Sequence, residues 1–120
     1  MEYNSELLRE REINVCDSVT EDDVELNPLS GPGEYRITAW SAVDEDHDVT
    51  SITFYIRRGS TYHNYKRGVP TAAAEIEEGP MTAHASPGDV IGCRFVGGTL
   101  TDSLQMFVEM LRYPVGQMPL

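Results

Sequence analysis

At 120 residues with 40% hydrophobic side chains, the chain is sized for one domain with a single ordinary core, and wholesale disorder is excluded. Twenty acidic residues against nine basic ones give a net charge of −11, a field that repels phosphate backbones and argues against a nucleic-acid partner. No run approaches the ~18 apolar residues of a membrane-spanning helix, and the polar, acidic start Met1-Glu2-Tyr3-Asn4 lacks the basic and apolar regions of a secretory signal.

In chain order, Ser5 to Arg11 interleaves Glu with Arg and reads as an extended arm or a short helix. Ile13, Val15 and Val19 then alternate with polar neighbours and predict a first strand. Asp17 to Asp23 is an acidic turn, and Val24-Glu25-Leu26 a short strand stopped by Asn27-Pro28. Ser30-Gly31-Pro32-Gly33 is a strong turn signal. Glu34 to Val43 alternates as a strand, with Tyr35, Ile37 and Ala39 on one face and Arg36, Thr38 and Trp40 on the other. Asp44 to Asp48 is a loop, and Ser51 to Arg58 a strand that turns Ile52, Phe54 and Ile56 inward.

Arg58-Gly59-Ser60 makes a tight turn into Thr61 to Lys66, a Tyr-rich polar strand suited to a sheet edge or an interface. Ala72 to Glu78, bounded by Pro70 and Pro80, is too short for a stable helix and reads as a crossover or short strand. Met81 to Ala85 is another short strand. Ser86-Pro87-Gly88-Asp89 leads into Val90 to Val96; after Gly97-Gly98-Thr99 comes Leu104 to Tyr113, a pattern that predicts an antiparallel hairpin. Leu104, Met106, Val108 and Met110 share one face of the last strand, while Gln105, Phe107, Glu109, Leu111 and Tyr113 share the other. A strand half apolar on its second face belongs in the middle of a sandwich or beneath another subunit.

About eight short strands between turn signals predict an all-β chain, an antiparallel β-sandwich or jelly roll with an extended N-terminal arm and C-terminal tail. The expected division is 1–23 for the arm and first strand, 24–113 for the sandwich and 114–120 for the tail.

Reactive constellations are scarce. Asp44-Glu45-Asp46-His47-Asp48 places four carboxylates and an imidazole in five residues, a composition that could attract Ca²⁺. It lacks the Asp-x-Asp-x-Asp-Gly spacing of a calcium loop and cannot enclose a cation alone, so it reads as a solvated loop. His47, His63 and His84 lie in separate segments without metal-ligand spacing. Cys16 and Cys93, 77 positions apart, match no metal spacing and read as two buried thiols, with a disulfide as the alternative. There is no Gly-x-Ser-x-Gly elbow, and the glycine turns open no phosphate-binding helix. No catalytic, metal-binding or cofactor-binding residue is assigned, and the expectation is a protein that is not an enzyme and needs no cofactor.

What the sequence does carry is contact chemistry. Arg57, Arg58, Lys66 and Arg67 place four of the nine cations within eleven residues of an otherwise acidic chain. That segregation suits charge pairing between copies or with an acidic partner. Tyr and Arg are the residues that anchor interfaces. The candidate interface residues are Leu7, Leu8 and Ile13 of the arm, Tyr62, Tyr65 and Arg67 of the Tyr-rich strand, and Phe107, Leu111 and Tyr113 of the last strand.

Three motifs carry a resemblance: Gly33-Glu34-Tyr35-Arg36-Ile37-Thr38-Ala39 after a Pro/Gly turn, the lead-in Pro87-Gly88-Asp89-Val90, and Gly97-Gly98-Thr99 before a strand ending Leu111-Arg112-Tyr113. In these, Leu29 to Tyr113 resembles the small β-sandwich structural proteins of tailed bacteriophages, especially capsid decoration (cement) proteins. The same lead-in is similar to trimeric jelly rolls of the tumour-necrosis-factor type. The resemblance implies a viral structural protein, made in the host cytoplasm and placed on the capsid surface of the virion. It would be a homo-oligomer, a trimer, bound to the major capsid protein between capsomers, with no nucleic acid or membrane as partner. Residues 1–13 and 114–120 would make the contacts, so removal of residues 1–12 should abolish attachment and spare the fold. The alternative is a carbohydrate- or receptor-binding module of a phage tail or fibre, stacking sugars on Trp40, Tyr55, Tyr62 and Tyr65. A metal-dependent cupin enzyme ranks last, because the His-x-His-x₃₋₄-Glu spacing is missing.

Overall fold

The computed structural model describes residues 5–113, apart from 71, 73, 81 and 82. These form nine strands and no helix: β1 (Glu6–Val15), β2 (Glu21–Glu25), β3 (Glu34–Asp44), β4 (Ser51–Arg58), β5 (Thr61–Gly68), β6 (Glu77–Glu78), β7 (His84–Ala85), β8 (Val90–Val96) and β9 (Ser103–Tyr113). One sheet runs β1-β9-β3, with β6 and β7 sharing the outer edge of β3; the other runs β2-β8-β4-β5. Every pairing is antiparallel, and the pairings nest: β1 with β9, β2 with β8, β3 with β6 and β7, β4 with β5. The chain is thus one long ribbon whose successive rungs fall alternately in the two sheets. That is the wiring of a jelly roll, and the all-β sandwich expected from the sequence is what the chain forms.

The core follows from alternation within the strands. Ile52, Phe54 and Ile56 of β4, Ile91, Cys93 and Phe95 of β8, and Leu104, Met106, Val108 and Met110 of β9 are all buried in one cluster between the sheets. Both cysteines are buried free thiols, as expected. Burial pushes the Cys93 thiol well up, which leaves it chemically inert.

Four expectations are corrected. The final hairpin does not exist as such: β8 and β9 lie in opposite sheets, and Gly97 to Asp102 carries the chain across the sandwich. The crossing is held by the β1–β2 connection. The amides of Gly97 and Thr101 donate to the carbonyls of Val19 and Cys16 at 3.1 and 2.9 Å, and Cys16 N–H donates to the Asp102 carbonyl at 2.8 Å. Gly97 sits at φ 75°, with Thr50 too close to admit a side chain. Period-2 runs flanking a glycine turn look alike whether they pair with each other or with distant strands.

In β3 the facing register changes. Its pairing to β9 shifts between Ile37 and Ala39, a bulge at Thr38 whose hydroxyl reaches the Glu109 carbonyl at 3.2 Å. Beyond the bulge Trp40 and Ala42 turn inward and Ala39 turns out, which reverses the faces expected for Ala39 and Trp40.

Near the N-terminus there is no detachable arm from Glu6 onward. Arm and first strand are a single strand, β1, paired along its length to β9. Loss of residues 1–12 would remove seven of its ten residues and leave most of that side of β9 without its paired strand. The strand expected at Val24 instead begins at Glu21, inside the supposed acidic turn. Residues 1–4 of the arm, 81–82 of the short strand before Ala85, and the whole tail 114–120 lie outside the described residues.

Candidate functional site

Three regions collect side chains with chemistry to offer. The first is the outer face of the β1-β9-β3 sheet. Since Met106, Val108 and Met110 fill the core, the alternate positions of β9 face outward, and the register sets Leu7, Arg9, Arg11 and Ile13 of β1 opposite Leu111, Glu109, Phe107 and Gln105. Leu7, Ile13, Val15 and Phe107 are exposed at 48%, 44%, 67% and 38%. The Arg11 guanidinium lies over the Phe107 ring at 5.5 Å, and Arg9 Nε donates to Glu109 Oε2 at 3.0 Å. A shallow cleft of about 300 Å³ runs along this face.

The patterning of β1 is inverted. Its sandwich-facing positions are Leu8, Glu10, Glu12 and Asn14, opposite Met110, Val108, Met106 and Leu104. A strand serving only the core would place its apolar set inward, and a one-residue slip would do that here. The bonded register instead exposes Leu7, Ile13 and Val15 and turns two glutamates toward the open edge of the sandwich.

The second region is the outer face of the β2-β8-β4-β5 sheet, where the side chains satisfy one another. Arg57 pairs both its Nε and Nη2 with the Glu25 carboxylate, each at 3.0 Å, and Tyr55 Oη donates to Glu25 Oε2 at 2.6 Å. Arg94 grips Asp23 through two bonds of 2.8 and 3.1 Å, and its guanidinium lies 4.8 Å over the Tyr62 ring. Tyr55 meets Tyr62 edge-on at 4.9 Å. Burial works to raise the Glu25 carboxyl, but hydrogen bonds from Arg57 and Tyr55 hold it below its usual range. Gly92 belongs to this design, since a Cβ there would fall 2.7 Å from Tyr55 Oη.

The third is an acidic corner where the β3–β4 loop meets the segment before β9. Asp44, Asp46 and Asp102 bring one carboxylate oxygen each within 4.8 Å of the others. Asp44 and Asp102 are 3% and 2% exposed. Burial and the facing Asp102 carboxylate push the Asp44 carboxyl up to about 6. Asp102 is also buried, yet hydrogen bonds from Asp44 and His47 hold it below its usual value.

The nine expected interface residues therefore do not form one surface. Leu7, Ile13, Phe107 and Leu111 share the first outer face. Leu8 is turned inward against the core, and Tyr113 is buried at 6% exposure. Tyr62 and Arg67 lie on the outer side of edge strand β5, whereas Tyr65 turns toward Trp40, with ring centroids 6.5 Å apart. The four aromatics considered for stacking sugars are also divided. Trp40 and Tyr55 are buried at 2% and 1%, and Tyr62 is covered on one face by Arg94. His63 and His84 line one cleft with Arg58 and Asp89, away from His47.

Sequence reasoning missed Asp102 as a member of the acidic corner, because 55 positions separate it from His47. It also missed the inversion of β1, which was visible in the common parity of Leu7, Ile13 and Val15. No protein-family model and no curated protein matches the chain.

Proposed function

We propose that this protein is a non-enzymatic structural module that works by association through the outer face of the β1-β9-β3 sheet. The inverted patterning of β1 carries this reading. Burial of apolar surface is the main driving force of association, about 25 cal/mol per Å² removed from water. Leu7, Ile13, Val15 and Phe107 hold that surface in reserve, outside the chain's own core. Arg9, Arg11 and Glu109 supply both signs of charge on the same face, which suits a self-complementary contact between like copies. The setting we propose is a virion: a capsid decoration protein, homo-oligomeric and trimeric, seated on the major capsid protein between capsomers. The jelly-roll wiring, frequent among viral capsid domains, supports that setting.

The test is light scattering of the isolated protein beside Phe107→Asp and Ile13→Asp. The wild type is expected to scatter as a multiple of its 13.4 kDa chain mass, and both variants as single chains with unchanged circular dichroism. Co-sedimentation with shells lacking the protein should follow the same pattern. A wild type that stays a single chain at high concentration would sink the self-association, and variants that bind shells as well as the wild type would sink the choice of face.

A further inference from the structure

The acidic corner has a feature that a solvated loop does not explain. In each of its three carboxylates one oxygen is pinned and the other is left over. Asp44 Oδ1 accepts from the amides of Asp46 and His47 at 2.9 and 3.1 Å. Asp46 Oδ2 accepts from Ser103 N–H at 2.8 Å. Asp102 Oδ1 lies 2.8 Å from His47 Nδ1, which donates to it. The remaining oxygens of Asp44 and Asp102 are buried beside each other, and no donor from any other described residue reaches them. Orphaned buried acceptors are rare, and two in one corner ask for a positive occupant. Among the described residues no Lys or Arg forms an ion pair with any of the three carboxylates.

We propose that Asp44, Asp46 and Asp102 bind a divalent cation, calcium by its chemistry, which ties the β3–β4 loop to the crossover before β9. An ion with metal–oxygen distances of about 2.3–2.6 Å keeps two ligands up to about 5 Å apart, which accommodates the 4.8 Å limit within this trio. All donors are oxygens, the preference of a hard cation. The pinned second oxygens and His47 orient the ligands, as outer-shell partners do in metal sites. Asp46 is exposed, so water completes the six to eight oxygens calcium takes. Magnesium, which demands near-ideal octahedral geometry, fits an opening of mixed loop and strand residues less well.

Calorimetric titration of calcium chloride into the metal-stripped full chain at about pH 8, where both buried carboxyls ionise, tests the assignment. Saturable heat is expected with a Kd of about 10⁻⁴–10⁻³ M, along with a melting temperature several degrees higher at saturation. Asp102→Asn keeps the shape and removes the charge, and it should lose both responses. Asp48→Asn, in the same loop but outside the trio, should behave as the wild type. Should Asp102→Asn fail to fold, the exposed Asp46→Asn is expected to weaken binding at least tenfold. A wild type with no saturable heat and no shift would overturn the proposal and leave a proton as the bridge between Asp44 and Asp102. A calcium response that survives Asp102→Asn, or tighter binding of magnesium, would overturn it equally.

Discussion

The two outer faces of this sandwich are built from similar residues and used in opposite ways. On the β2-β8-β4-β5 face, Glu25, Asp23, Arg57, Arg94, Tyr55 and Tyr62 are spent on one another: each carboxylate is gripped by an arginine, and the Tyr55 hydroxyl has its acceptor. On the β1-β9-β3 face, one ion pair and one cation–π contact lie beside Leu7, Ile13 and Val15, which stay exposed. Charge content alone therefore does not locate an interface. The face whose carboxylates are gripped by arginines is the one already satisfied, and the face with capacity left over is where a strand's apolar set points away from its own core.

That contrast breaks first, and most heavily, at Glu25. Glu25→Ala strips the acceptor from the buried Tyr55 hydroxyl and the partner from Arg57 together. An orphaned buried donor costs about 1–3 kcal/mol, and the released arginine adds to it. Urea unfolding should report a loss of about 2–3 kcal/mol, and a loss under about 0.5 kcal/mol would mean that this face is as uncommitted as the other. Asp23→Asn comes next. Arg94 would keep its stacking on Tyr62 but lose a two-bonded ion pair whose partners are 29% and 28% exposed. Solvent screening at that exposure limits the expected loss to about 1 kcal/mol.

The same face should show itself in the pH dependence. Glu25 is held below its usual range in the folded chain, so the folded state binds its proton more weakly than the unfolded state does. Its contribution is complete above the unfolded carboxyl value of about 4.3 and disappears as pH falls through the lower folded value. The urea midpoints of wild type and Glu25→Gln are expected to differ at neutral pH and converge in acid. Midpoints that stay equally separated in acid would show that the carboxylate charge is not what matters there.

How far the sequence foretold this arrangement depends on the range of the interaction involved. Alternation inside one strand is local, and it correctly put Ile52, Phe54 and Ile56, and Leu104, Met106, Val108 and Met110, in the core. Strand partnership is not local. In a nested ribbon the partners of β8 and β9 lie as far off as β2 and β1, and Gly97-Gly98 looks the same in a crossover as in a hairpin turn. The bulge at Thr38 is invisible for a related reason, since it is defined by its register against β9 rather than by its own residues. Asp102 joins Asp44 and Asp46 only because the crossover ends beside the β3–β4 loop. The inversion of β1 needed both kinds of knowledge: the parity of Leu7, Ile13 and Val15 is written locally, but which parity faces the core is set by pairing to Met106, Val108 and Met110.

The smallest expected effect on stability is the most telling for function. Ile13→Thr and Phe107→Ser change the open face without touching the core, and both residues keep strand-compatible backbone geometry. Each should move the unfolding free energy by no more than about 0.5 kcal/mol, the usual range of surface substitutions. The same substitutions remove apolar area from the proposed contact, so oligomer mass should fall while the stability of the dissociated single chain, measured at high dilution, stays put. If instead stability drops by about 2 kcal/mol for the isolated single chain, the side chains serve their own fold, as a packed core residue would. The open face would then be no more available than the closed one, and the contrast between the two sheets would no longer mark a binding surface.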